Sequence, residues 1–207
     1  MDDHKIESLP GAYYFPKLLD EDLQKILWEE CILTEGRTRN TITGITGPRV
    51  KPFCEPYPKY LALLVSLLQK ADLLQKNPAQ ISVNVYKPDN WMIAHKDGRG
   101  EKGIIVTIGC QTTLNFYHKP SEAPILYTEV HEAQKHAEDI TPDISLFLEV
   151  GSVIMLTGAA FTEYAHGIAA QEADTVSSNM GNYRMLSVKE GETFPRQQRV
   201  SIVLWQM

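Results

Sequence analysis

Residues 80–97 read QISVNVYKPDNWMIAHKD, and this stretch decides how the rest of the chain is read. In its first half Ile81, Val83 and Val85 alternate with Ser82, Asn84 and Tyr86. A period of two is the signature of a strand, here with one apolar face and one polar face. After Pro88 the chain resumes and reaches His95 and Asp97. Two residues apart, they fall on one face of a strand, imidazole and carboxylate pointing the same way.

Working outward, the chain after residue 100 continues as short strands. Gly103–Gly109 and Thr112–Tyr117 read as two strands joined tightly. Ser145–Val150 and Ser152–Thr157 read as another pair hinged at Gly151, and strands at Tyr183–Val188 and Arg199–Trp205 close the chain. The polar run 170–182 reads as a mobile loop. Before residue 80 the pattern is helical. Asp20 is a good N-cap for a helix running to about Cys31, with Glu21 and Asp22 in its first turn. Residues 34–57, rich in Gly, Thr and Pro, read as a loop or short irregular strands. Pro58 can open a second helix whose Leu61, Leu64, Val65 and Leu68 have helical spacing, ended by Asn77-Pro78. Many short strands after two leading helices predict a mainly β protein with flanking helices (α+β), a sandwich or jelly roll. Residues 1–79 are expected to pack as helices and a connecting segment on a core formed by residues 80–207.

Composition narrows the class. A chain of 207 residues with a net charge of −6 is one ordinary globular domain, or a domain with an N-terminal elaboration. No apolar run is long enough to span a bilayer, and the start lacks signal-peptide character, so a monomer in the cytoplasm or nucleus is expected, with no membrane partner. Cys31, Cys54 and Cys110 are scattered and odd in number, which fits reduced thiols rather than a zinc or disulfide framework. The net acidity argues against indiscriminate nucleic-acid binding. One segment runs against it: from Gly36 to Lys51 there is no acid, while Arg37, Arg39, Arg49 and Lys51 are basic. On charge alone that segment reads as a solvated loop.

The chemistry lies in a conjunction. A lone His-x-Asp occurs often without a metal, and a single downstream histidine is commonly a hydrogen-bonded core residue. Here His95 and Asp97 are joined by His166 far downstream, the set that makes a two-His, one-carboxylate facial triad for Fe(II) with three open positions. Asn84 and Tyr86 share a strand face just before the His-x-Asp, where they could donate to a carboxylate. Arg199 opens the last strand, and Ser201, Val203 and Trp205 follow on its face. A guanidinium is the natural partner for the remote carboxylate of a dianionic co-substrate. These residues suggest an Fe(II)- and 2-oxoglutarate-dependent oxygenase that consumes O2. His4, His118, His131 and His136 have no such setting.

The run Asn84-Val85-Tyr86, then His95-Lys96-Asp97-Gly98, resembles the N-x-Y…H-x-D signature of the AlkB-like dioxygenases, closest to the sixth AlkB homologue subfamily. Gly103–Gly109, Leu114–Tyr117, Leu156-Thr157-Gly158, Ala165-His166-Gly167-Ile168 and Arg199-Val200-Ser201 follow in the family's order, so the likeness covers residues 80–207. It implies a double-stranded β-helix with iron on His95, Asp97 and His166. It implies 2-oxoglutarate on Asn84, Tyr86 and Arg199, with Ser201 and Val203 completing that pocket, and oxidative demethylation or hydroxylation of a base in single-stranded DNA or RNA. Relatives carry a substrate lid where Arg37, Arg39, Arg49 and Lys51 lie, with Phe53 and Tyr57 as the nearest stacking residues. The chain departs from the family at Trp205, where a second Arg is usual. Arg184 or Arg196 are candidates to compensate; otherwise Trp205 makes an apolar wall or seals the barrel end. A protein or small-molecule hydroxylase on the same scaffold, or a weakly active metal-binding module, are the alternatives.

Overall fold

Asp20 caps the first helix as its side chain predicts, accepting a 2.8 Å bond from the Leu23 amide. The computed structural model describes residues 2–40, 46–97, 100–118 and 141–206, with the backbone alone at 37–40, 46, 47 and 93. In chain order the elements are β1 (Ala12–Phe15), α1 (Glu21–Ile32), β2 (Arg37–Asn40), β3 (Thr46–Phe53), α2 (Lys59–Lys70) and β4 (Gln80–Tyr86). Then come β5 (Met92–His95), β6 (Lys102–Ile108), β7 (Thr112–Tyr117), β8 (Ile144–Leu148), β9 (Val153–Thr157) and α3 (Gly158–Thr162). The chain ends with β10 (Ala165–Ile168), β11 (Ala173–Thr175), β12 (Thr193–Pro195) and β13 (Arg199–Gln206).

Two antiparallel sheets form the frame, one of seven strands in the order β1-β9-β6-β13-β4-β3-β2, the other β5-β10-β7-β8. This is the expected jelly roll. Two pairs of strands that are neighbours in sequence are divided between the sheets: β6 and β7 are split, as are β8 and β9. The tight joins read in the sequence are therefore crossings of the sandwich rather than hairpins. At one crossing Gly109 has φ +85°, and a Cβ there would sit 2.2 Å from the Trp28 ring, so the turn tolerates only glycine. β1, β2 and β3, all before residue 80, share the larger sheet with β4, β6, β9 and β13.

Strand parity divides the core in two. Ile81, Val83 and Val85, with Ile104, Val106, Ile202 and Leu204, face the helices, where Leu61, Leu64, Val65 and Leu68 of α2 are buried against them. Each such Leu contributes about 1.5–3 kcal/mol of burial. The other face of the same strands turns toward the smaller sheet, with Ile105 and Val203 meeting Leu114, Phe116 and Ile168.

Four local expectations change. Helix α2 stops at Lys70, well before Asn77-Pro78, because Asp72 takes φ +58° and Leu73 donates back to the Leu68 carbonyl, closing the helix end. Residues 46–53 form an eight-residue strand despite Pro48 and Pro52. Pro48 falls within the register shift against β2, and Pro52 lies past the end of that pairing, the places where a missing N–H does least harm. Tyr183–Val188 is not a strand but a 3-10 turn at Tyr183–Met185 followed by non-strand chain. There the Asn182 side chain takes both backbone bonds of Phe147 at the β8 edge, so no further strand adds. The segment 170–182 is pinned through β11, where Asp174, fully buried, pairs with Arg196 at 2.8 and 3.0 Å.

Candidate metal centre and carboxylate pocket

The same parity builds a cleft of about 540 Å³ between the sheets. Across the larger sheet, ladder register lines up polar rows: Tyr86 with Arg199, then Asn84, Ser201 and Thr107, then Ser82, Val203 and Ile105. Asn84, Tyr86, Arg199, Ser201 and Val203 all face the cleft.

On the opposite sheet, His95 ends β5 and lies directly across the ladder from His166 of β10. Their rings are 4.8 Å apart. Asp97 follows two residues past the strand end. Its Oδ1 is 3.9 Å from His95 Nε2, and its Oδ2 is 4.0 Å from His166 Nε2. One donor atom from each residue lies within 4.8 Å of the others. Adjacent donors around a six-coordinate ion stand roughly 3 Å apart, so small side-chain rotations suffice to close on one. Asp97 Oδ2 is buried and has no hydrogen-bond partner among the described residues, which is what an ion would correct. Two imidazoles and one carboxylate with open positions suit non-haem Fe(II).

The approach of the two histidines depends on Gly167. A Cβ there would lie 2.8 Å from both the Met92 carbonyl oxygen and the Ala94 nitrogen. Any side chain at 167 would push β5, and His95 with it, off β10.

Arg199 is the buried charge of the site, 5 % exposed. Its Nη2 donates to Thr107 Oγ1 at 3.1 Å, and the guanidinium stands 5.0 Å from the Tyr86 ring centroid. Its Nε and Nη1 are buried with no partner among the described residues. Burial pulls its pKa below the ordinary arginine value, opposed mainly by Tyr86, yet a guanidinium still holds its proton. A buried cation with two unmet donors fits a carboxylate bound through paired hydrogen bonds. Thr107 was not singled out from the sequence; its signal is one hydroxyl among the apolar residues of β6.

Arg49 and Lys51 are not brought to the cleft. Val50 and Pro52 line it, so period two turns Arg49 and Lys51 to the other side. Arg49 Nη2 donates to the Ile32 carbonyl at the end of α1, 2.7 Å away, and Lys51 Nζ stands 5.3 Å from the Phe53 ring centroid. Arg37 and Arg39 lie on β2, and their side chains are outside the described residues. Phe53 packs edge-on against Tyr60, and Tyr57 donates to the Pro78 carbonyl; both serve packing. Neither cation proposed to replace a second arginine reaches the cleft. Arg196 is bound to Asp174, and Arg184 is exposed on the 3-10 turn. Trp205 itself lines the cleft.

The model of the 2OG-Fe(II) oxygenase superfamily matches residues 28–204. A curated relative from Danio rerio, "Probable RNA/DNA demethylase ALKBH6", is 24 % identical over 96 % of this chain and 86 % of its own length. Among solved structures, OsALKBH1 superposes with a TM-score of 0.59 at 14 % identity, covering 95 % of this chain and 98 % of that one. A prolyl-4-hydroxylase from Pseudomonas putida gives 0.57 at 11 % identity, covering both chains fully. HygX from Streptomyces hygroscopicus, solved with nickel and 2-oxoglutarate, gives 0.55 at 13 %, covering 98 % of this chain and 85 % of that one. These structural likenesses speak for the jelly roll alone, whereas the superfamily match runs through both sheets and the cleft between them. The chain belongs to the 2OG-Fe(II) oxygenase superfamily.

Proposed function

We propose that the protein is an Fe(II)- and 2-oxoglutarate-dependent dioxygenase that demethylates or hydroxylates a base in single-stranded DNA or RNA. His95, Asp97 and His166 are the iron ligands in this reading, and Arg199 receives the remote carboxylate of 2-oxoglutarate. The observation that carries it is the buried Arg199 with two unmet donors in the same cleft as the His-Asp-His cluster. When bound, the metal and co-substrate supply an oxidation in which 2-oxoglutarate becomes succinate and CO2, one atom of O2 entering succinate and the other a substrate C–H. An N-methyl group so hydroxylated breaks down to formaldehyde and the demethylated amine.

The chain's own residues position these parts. Thr107 and Tyr86 hold the guanidinium, and Asn84 and Ser201 offer polar groups one row further in. Val203, Ile105 and Leu114 exclude water between that row and the metal cluster. The nucleic-acid substrate is supported by the likeness to the Danio rerio relative, whose printed name is that of a probable RNA/DNA demethylase. A base reaches a cleft between sheets only from a single strand or by flipping out of a duplex. A second reading, a protein or small-molecule hydroxylase, is favoured by Arg49 and Lys51 lying off the cleft.

The test is succinate formation by anaerobically iron-loaded protein, without and with methylated single-stranded oligonucleotides. Turnover that rises with the oligonucleotide and releases formaldehyde supports the demethylase. Turnover indifferent to every oligonucleotide keeps the oxygenase and moves the substrate to the second class.

A further inference from the structure

Asp97 lies outside the strands, two residues past β5, yet its side chain is only 9 % exposed. A carboxylate on a connecting segment is ordinarily solvated, so this one has a cover. Part of that cover stands outside the cleft. A Cβ at Gly103, near the start of β6, would lie 3.6 Å from Asp97 Oδ2 and 3.0 and 3.3 Å from Cε2 and Cδ2 of Phe161. The same ring stands over Gly100, where a Cβ would be 3.7 Å from its Cζ. One edge of the Phe161 ring thus borders the same small space as the carboxylate, a space left open by a glycine. Asp97 lines the cleft, whereas Phe161 and Gly103 do not, so the ring backs the carboxylate from behind.

The ring is held firmly. Phe161 is buried in the core cluster that also contains Ile6, Leu9, Ala12 and Ala160. Its helix, α3, is tied to the N-terminal segment: the Ala160 amide donates to the Pro10 carbonyl at 2.9 Å and the Thr157 amide to the Gly11 carbonyl at 2.8 Å. The glycine segment is held separately, by the Glu101 amide donating to the Gln206 carbonyl of β13 at 3.0 Å. An apolar wall has two consequences for a carboxylate. It offers no donor, and Asp97 Oδ2 is buried with no hydrogen-bond partner among the described residues. It also excludes the water that would compete for that oxygen. A carboxylate already stripped of water on folding gains more from a divalent cation than a hydrated one does.

We propose that Phe161 is a positioning residue of the metal centre: its ring walls the Asp97 carboxylate off from water and keeps Oδ2 directed at the histidines, 4.0 Å from His166 Nε2. The apolar surroundings of a metal site set its solvent access and the strength of its ligands. The inference rests on the iron-ligand reading of His95, Asp97 and His166 above. It adds an apolar residue that the His-x-Asp pattern does not reveal, carried by a helix that the N-terminal segment holds in place.

The experiment measures Mn(II) affinity, from the paramagnetic resonance signal of the free ion, in wild type, Phe161→Leu, Phe161→Ala, Gly103→Ala and the Phe161→Ala, Gly103→Ala double variant. Removing a group that supports a metal ligand costs about 10- to 100-fold in metal affinity, so Phe161→Ala is expected to weaken Mn(II) by that order. Phe161→Leu deletes the ring edge at Cε2 and Cζ but keeps apolar bulk. It should also weaken Mn(II) with circular dichroism unchanged, which covers the case in which the Ala variant does not fold. Gly103→Ala presses on the ring at 3.0 Å and should weaken binding in wild type. In the Phe161→Ala background the same methyl meets no ring and stands 3.6 Å from Oδ2, so it should restore part of the lost affinity. A role in stability alone would make the two losses add. Wild-type affinity in folded Phe161→Leu, or additive losses in the double variant, overturns the role of Phe161 and leaves the metal cluster standing. Wild type that binds no Mn(II) overturns the cluster as well.

Discussion

Replacing Arg199 by Met should separate binding from stability. The guanidinium is buried, and among the described residues the Thr107 bond and the Tyr86 ring are its main offsets to the loss of water. The Met variant gives up that charged bond, about 1.5–3 kcal/mol, and the ring contact, about 0.5–2 kcal/mol. Against this it removes a desolvation cost of several kcal/mol for a buried, incompletely paired cation. The unliganded variant is therefore expected within about 2 kcal/mol of wild type, or above it. Co-substrate binding should respond quite differently. Two charge-assisted bonds from Nε and Nη1 at about 1.5–3 kcal/mol each amount to about 3–6 kcal/mol, roughly a 10²- to 10⁴-fold loss in affinity. Anaerobic calorimetric titration of 2-oxoglutarate into Mn(II)-loaded protein measures this. Thermal unfolding with and without 2-oxoglutarate checks it: wild type rises with ligand concentration by linkage and the variant does not. Unchanged 2-oxoglutarate affinity would refute the argument. Severe destabilisation with binding intact would make Arg199 a structural anchor instead.

Further outcomes follow from the same geometry. Gly167→Ala forces a Cβ against the Met92 and Ala94 backbone, displaces His95, and should weaken Fe(II) binding roughly 10- to 100-fold with circular dichroism unchanged; unaltered iron affinity would show that β5 does not need this close approach. Arg196→Met strands the buried Asp174 carboxylate and should cost about 3–5 kcal/mol in urea unfolding. Burial pushes the Asp174 pKa up, but the Arg196 bonds and charge outweigh it and hold it below the ordinary value. Its contribution to stability is thus present above the unfolded carboxylate pKa of about 3.9 and is lost as pH falls through the lower folded value; in Arg196→Met that acid-side loss should begin at higher pH. Among the cysteines, Cys54 is exposed while Cys31 and Cys110 are buried, the Cys31 thiol pushed up to about 12 by burial. A thiol reagent should modify Cys54 alone in the native protein, and equal labelling of a second thiol would count against the packing of α1 on the sheet.

The elements legible in the sequence are those whose determinants are local. Alternation over 80–86 is read directly as β4, and the Asp20 cap and the Leu61, Leu64, Val65, Leu68 stripe mark both helices. The cluster was legible too, because His95 and Asp97 lie two apart and His166 and Arg199 belong to recognisable strands. What was hidden depends on partners distant in sequence. The strand at 46–53 exists because β4 offers it a ladder despite two prolines. The segment 170–182 is held by a Asp174–Arg196 pair spanning 22 residues, which composition does not reveal. Tyr183–Val188 alternates well enough to look like a strand, but the amide of Asn182 has already taken the β8 edge. Arg49 and Lys51 fail as cleft lining for a reason of parity: once Val50 and Pro52 face inward, their side chains cannot. Thr107 escaped notice because its role appears only when β6 is laid beside β13.

The central claim is that His95, Asp97 and His166 hold the iron on which the chemistry depends. Iron retained after anaerobic Fe(II) loading and gel filtration, in wild type and in Asp97→Ala and His166→Ala, tests it most directly. Stoichiometric iron in wild type, and little in either variant despite native circular dichroism, is the predicted result. Full iron occupancy in the folded Asp97→Ala and His166→Ala proteins would contradict it.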